Sequence, residues 1–495
     1  MRVLQWMRQA EPSRKVTEIG LPIVVGLGLG ALIVFARGLP PKWAGLILLT
    51  VPAFTMVMVI KDLKKSLLAM ILFAVPLNLD ASVIISPHAY KIVAVTTLRV
   101  SLVTCVLIIA YALWLIEKPW KSGYNKVRFF SSVSLPSICL IFALVISLFR
   151  STDTQLSLFQ IAQYIELFLA YFYVANHIKN TEDLHFALRI ILLGVLAESV
   201  LMQLQWATGV QFNVAGVDAA VLTSGFKDEQ ARVAGTIGGP NGAGAYLAAH
   251  LPIALAVIVA SPKVMEKRLA ALVFVMGAIA IVGTFSRSAW LGLLISILFS
   301  LLLGLWRGWV KVNHVVLIVV VSTILIAALY GPISYRLTHD DRGSAESRPI
   351  LASLAWEIIK AEPMWGVGAN NYALVVRRYV TPKQGGMHSS LLREPVHNKY
   401  LLIWAETGLI GFLSYVWFLL ACLWQAILCA KSGSKLLSLV AIGLAGACLA
   451  TDVRMFSQHG VGRTVNLYFW LLAALVVSIG AIGSCASDDS PLVAV

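Results

Sequence analysis

The feature that most constrains this chain is a succession of long apolar runs broken by short polar turns. They fall at about 19–36, 43–60, 66–79, 98–116, 131–149, 156–176, 186–207, 241–260, 269–285, 288–306, 313–331, 407–429, 436–451 and 465–484. A bilayer core takes roughly 20 apolar residues per helical crossing. The pattern predicts an all-α integral membrane protein of about 14 transmembrane helices. Composition agrees: 59% of the 495 residues are hydrophobic, only 13% are charged, and mean hydropathy is +0.83. Soluble domains carry about 25% charged residues, so an ordinary soluble enzyme, a disordered chain and a disulfide scaffold are excluded. The first run follows Arg2, Arg8, Arg14 and Lys15 and is too long for a signal peptide, so it reads as a retained span.

Loop charge sets an expected orientation. Cytoplasmic loops collect Lys and Arg. A cytoplasmic N-terminus places Lys61, Lys64, Lys65, Lys118, Lys121, Lys126, Arg128, Lys179, Lys263, Lys267, Arg268, Arg307, Lys311, Lys431 and Lys435 on the inner side. With an even number of spans the C-terminus is cytoplasmic too. The net charge of +15 then belongs to loops and anionic headgroups, and no nucleic acid is expected as a partner. The six cysteines form no CxxC pair and read as small buried hydrophobes.

The chain divides into N-terminal spans (1–230), core spans (231–331), a large external loop (332–399) and C-terminal spans (400–495). A structureless loop of that length would be unusual. Ile350, Leu351, Leu354, Ile358 and Ile359 recur at helical spacing, with Ser347 as N-cap and Pro349 near the first turn. A second helix starts after Pro395, because Tyr400, Leu401 and Trp404 share a face. The loop therefore reads as a helical cap.

Three polar positions stand out on the external side. Arg232 precedes Gly239-Pro240-Asn241; Arg287 sits in Thr284-Phe-Ser-Arg-Ser-Ala-Trp290; His397 follows Glu394-Pro-Val. Each has an ordinary alternative. An arginine at a span end commonly snorkels, a loop arginine needs no function, and a lone histidine is often a surface residue. Arg287 departs from the positive-inside trend. Together two arginines suit a diphosphate, which they clamp by charge-assisted bonds, stabilising it as a leaving group. A histidine suits proton removal from an attacking hydroxyl. Sequence spacing does not show that the three meet. Glu166 follows Gln160 and Gln163 on one helix and Glu198 lies on the next; both are secondary candidates, equally readable as hydrogen-bonded struts. Gly26, Gly28 and Gly30 read as helix packing, and His388 with His397 lacks a zinc spacing. No metal and no cofactor is expected.

These segments resemble the bacterial O-antigen ligase and polymerase superfamily. The resemblance rests on Thr284-Phe-Ser-Arg-Ser-Ala-Trp-Leu-Gly292, on Gly239-Pro-Asn241 after an external arginine, on Arg348…Trp356…Pro363…Gly366-Val-Gly368…Asn371-Tyr372, and on His397-Asn398…Glu406-Thr-Gly408. It covers about 230–420. It implies a GT-C-type glycosyltransferase of the bacterial inner membrane, moving a glycan from undecaprenyl diphosphate at the periplasmic face to a hydroxyl. The acceptor it implies is either a glycolipid or a second lipid-linked glycan. By the same resemblance Arg232, Arg287 and Arg348 hold the diphosphate, and His397 serves as base or positions the acceptor; Asn398 and Glu406 are secondary candidates. Asn398 stands where some ligases have a second histidine, which keeps ligase and polymerase both open. The competing reading is a lipid-linked glycan flippase or exporter, built from repeated halves around midplane charges. No repeat is visible. A structural scaffold would explain the hydrophobicity but not the clustered external motifs.

Overall fold

The computed structural model describes residues 62–87, 95–117, 127–214, 217–219, 221–223, 231–338, 344–380, 391–460 and 462–488. The first two expected spans, the Gly26–Gly30 run and His388 lie outside them. The described chain is overwhelmingly helical, and seven helices are long and apolar enough to cross a membrane. These are α4 (Thr154–His177), α5 (Thr181–Thr208), α6 (Pro240–Ala260), α8 (Arg287–Trp306), α13 (Lys399–Cys429), α14 (Lys435–Arg454) and α15 (Arg463–Asp488). Helix α9 (Val312–Ala328) and helix α10 (Tyr330–Thr338) are together long and apolar enough to cross but meet at 71°.

The remaining runs are shorter or more polar than the expectation of about 14 spans. The run at 66–79 is the 11-residue α1 (Leu63–Phe73). The run at 98–116 opens as strand β2 (Thr97–Ser101) before α2 (Leu102–Ile116), a 15-residue helix. The 13-residue α3 (Ser134–Ile146) ends in a 3-10 turn, and α7 (Val264–Gly283) carries Glu266, Lys267 and Arg268 at its start. Strand β2 pairs with β1 (Asp80–Ile85) in an antiparallel hairpin, and two further short hairpins lie between α5 and α6.

Local chemistry sets the helix ends. Asp153 caps α4 by accepting from the Leu156 N–H, and Asn180 caps α5 by accepting from that of Asp183. Ser101 and Thr104 form a reciprocal capping box on α2. Pro240 takes the first position of α6 behind Gly239, where its missing N–H costs nothing. Helix α14 is rich in small residues and packs between α6 and α8. At Gly443 an added Cβ would lie 2.9 Å from the Pro252 carbonyl oxygen, so only glycine permits this approach. Leu291, Leu294, Leu298 and Leu302 line the exposed side of α8, each more than half exposed, as a lipid-facing stripe would be.

The external cap is helical. Helix α11 (Ser344–Ala361) begins three residues before the expected N-cap Ser347, which lies inside the helix. It packs on the first half of α13. The turn at 363–368 is knitted onto α13 by backbone alone: Val367 N–H donates to Ala405 O at 3.0 Å, Gly368 to Glu406 O at 2.9 Å, and Leu409 to Pro363 O at 2.9 Å. Gly366 and Gly408 both adopt positive φ there, at 68° and 67°. Their backbones cross so closely that a Cβ on either would fall 2.5 Å or less from a main-chain atom.

Candidate functional site

Several described segments expected outside come together in space. The turn between α7 and α8 is the first of them. Phe285 has a positive φ of 50°, and this sharp reversal places Arg287 at the start of α8, half-buried. Arg232 closes strand β6 (Ala231–Val233), and its Nε donates to the Thr284 carbonyl at 2.9 Å. Arg336 on α10 is buried, and its Nε donates to the next carbonyl, that of Phe285, at 2.9 Å. Two arginines from two other segments thus bond the turn that carries a third, Arg287.

A Nη of Arg232 also donates to Asn241 Oδ1 at 2.8 Å. Asn241 lies in the first turn of α6, after the cap Gly239. It borders a cleft of about 330 Å³ whose walls include Arg99, His397, Arg454, His459 and Arg463. The structure therefore connects Arg232 to the cleft that His397 lines. Arg348, on the cap helix α11, is half-buried and is not among the described cleft residues.

His397 stands just before α13. Its Nε2 lies 3.5 Å from Glu394 Oε2, and its ring is 5.1 Å from that of His459. The hydrogen bond from His397 holds the Glu394 carboxyl below the usual carboxylate range. Desolvation pulls His459 down to about 4, helped by the nearby charges of His397, Lys399 and Arg454, so its imidazole is neutral at physiological pH.

The secondary candidates have structural employment. Glu198 is buried and accepts from both the amide and the hydroxyl of Thr236, the former at 3.0 Å, holding the turn that follows Arg232. Asn398 caps α13 by accepting from Leu401 N–H at 3.1 Å. Glu406 is buried where α13 crosses the cap turn and accepts weakly from Tyr372 N–H at 3.4 Å. Glu166 accepts from Arg463 at 2.7 and 3.1 Å and from Thr104 Oγ1 at 2.5 Å. That buried pair fixes one cationic wall of the cleft.

Residues 271–416 match the Wzy_C family model, O-antigen ligase. The match supports membership of the O-antigen ligase and polymerase superfamily, with ligase- or polymerase-type function in general terms. No curated protein matches the chain. The matched region opens within α7 and ends within α13, so it contains the 284–287 turn, Arg336, the cap, His397 and the Gly408 crossing. Arg232, Arg454, His459 and Arg463 lie outside the matched residues but border the same site.

Arg99, Arg336, Arg454, His459 and Arg463 were not singled out by sequence reasoning. One signal was available. Asp452, Arg454, His459 and Arg463 crowd into the short turn between the last two apolar runs, on the side expected to face outward.

Proposed function

We propose that the chain is a glycosyltransferase of the bacterial inner membrane that works at the periplasmic face, with both termini cytoplasmic. It transfers a glycan from an undecaprenyl-diphosphate carrier to a hydroxyl on a glycolipid or on a second lipid-linked glycan. The observation that carries this reading is the link from Arg232 through Asn241 into the cleft that His397 lines, beside the turn that presents Arg287.

In this reading the acceptor oxygen attacks the anomeric carbon as the bond to the carrier diphosphate breaks. A single displacement inverts that centre. The hydroxyl proton passes to His397. With Nε2–H directed at Glu394, Nδ1 is the nitrogen that receives it. Arg232 and Arg287 hold the diphosphate and stabilise its growing charge, at the N-terminus of α8, whose dipole favours an anion. The cap 332–399 holds the glycan, and the exposed apolar faces meet the carrier's tail and membrane lipid. Arg348, on α11, adds to the diphosphate contacts. No step draws on a cofactor or metal.

The test is transfer by purified protein in vesicles, supplied with carrier-linked repeat units, with and without lipid A–core. A ladder without lipid A–core identifies a polymerase; product only with lipid A–core identifies a ligase. Absence of transfer with the cognate glycan, together with flipping of tail-labelled lipid, would replace this reading with the flippase. A His397→Ala variant with unchanged rate and pH profile would remove the base role.

A further inference from the structure

Among the described residues, Arg454 is the cleft arginine with no carboxylate partner. It ends α14, is only 2% exposed, and borders the cleft. The other two cleft arginines each hold a carboxylate: Arg99 pairs with Asp80 at 2.9 Å and Arg463 with Glu166 at 2.7 Å. Arg454 instead donates one Nη to the Tyr468 hydroxyl at 3.1 Å. Its Nε is buried without a hydrogen-bond partner, and among the described residues no carboxylate pairs with it. A buried charge without a counter-ion is costly, and a guanidinium in that position is matched to an oxyanion.

The place of Arg454 says which oxyanion. Its charge acts on His459, whose ring packs against His397. The 284–287 turn, with Arg232, Arg287 and Arg336, belongs to other elements. In a displacement at carbon the incoming oxygen and the departing diphosphate lie on opposite faces of the reacting atom. The group that takes the proton touches the incoming substrate. Cations beside His397 therefore serve the acceptor, and those around the turn serve the leaving group. We propose that Arg454 forms a second oxyanion subsite, distinct from that of Arg232 and Arg287, which binds a phosphate or diphosphate carried by the acceptor. The assignment rests on the function proposed above and narrows its acceptor to phosphate-bearing glycolipids.

Two measurements test it. In the first, the reconstituted protein is given the carrier-linked donor and an acceptor with or without its phosphate groups. Arg454→Gln should raise KM for the phosphorylated acceptor by about tenfold or more, leave donor KM in place, and erase the preference for the phosphorylated form; Arg454→Lys should recover part of it. A rise in donor KM alone, or equal use of both acceptors by the wild type, overturns the proposal. The second measurement needs no transfer, so it separates failure of this site from failure of the proposed activity. Inorganic diphosphate should raise the melting midpoint of Arg287→Gln protein in detergent, and adding Arg454→Gln should abolish that rise. Without diphosphate, Arg454→Gln alone should melt no lower than wild type, because it removes an uncompensated buried charge. A lower midpoint with the diphosphate effect intact would make Arg454 a structural partner of Tyr468 and nothing more.

Discussion

Arg232 and Arg336 donate to consecutive carbonyls, those of Thr284 and Phe285, from opposite ends of the stretch that contains the core spans. The turn that aims Arg287 is thus gripped from two sides. Phe285 holds a left-handed conformation there, which costs a non-glycine residue about 1–2 kcal/mol, and the two guanidinium bonds offset that cost.

Arg287→Ala and Arg232→Ala should nearly abolish glycan transfer while leaving expression and membrane insertion intact. Arg336→Ala should act more mildly, since Arg336 positions the turn. Its transfer rate should fall about tenfold, from loss of a charge-assisted bond worth about 1.5–3 kcal/mol. Arg336→Lys should recover little, because an ammonium lacks the planar fork. Turnover and substrate KM measured side by side will separate these outcomes; wild-type transfer by both alanine variants would end the diphosphate assignment.

Glu166 and Arg463 form a buried ion pair seated on the α2 capping box. Glu166→Gln should destabilise the protein by about 3–5 kcal/mol, since it strands a buried guanidinium. Adding Arg463→Gln should restore much of the loss. Thermal midpoints of the two single variants and the double variant give the coupling directly; simple additivity would mean that the pair contributes nothing specific.

Gly408→Ala should fail to give a monodisperse folded protein. Its Cβ would sit 2.1 Å from the Met364 carbonyl oxygen, at a φ of 67°. Gly433→Ala is the control, because no atom lies within 4 Å of its Cβ position. Size-exclusion profiles of fluorescent fusions will show whether the two differ.

Acidification should weaken the fold through His459. Its folded value of about 4 lies below the ordinary histidine value of about 6.5. Between those values the unfolded chain binds a proton that the native one does not, so stability falls as pH drops through that window and is fully present above it. His459→Asn should show a smaller drop in melting midpoint between pH 7 and pH 5. An unchanged drop would assign the acid sensitivity to other groups.

The bundle was legible in the sequence because lipid demands long apolar runs, and α4, α5, α6, α8, α13, α14 and α15 meet that demand. The runs expected as spans at 66–79, 98–116 and 131–149 form the shorter helices α1, α2 and α3, whose 11, 15 and 13 residues fall below a full crossing. At the site, Arg232, Arg287 and His397 could be named from position alone. Arg336 and Arg454 could not, since their meaning comes from what they meet: a carbonyl far away in sequence, or a cleft in which no described carboxylate pairs with the guanidinium. Glu198 and Asn398 show the converse. Their polarity in apolar surroundings drew notice, and the structure uses it to hold a turn and to cap a helix.

The crossing of Gly366 and Gly408 has a mechanical consequence. Its three stitches are amide to carbonyl, so neither salt nor pH can unpick them, and the cap and the upper half of α13 travel as a single piece. Under the proposed function this joint is a fixed lintel, and a bulky sugar chain has to come and go beside it and not by parting it.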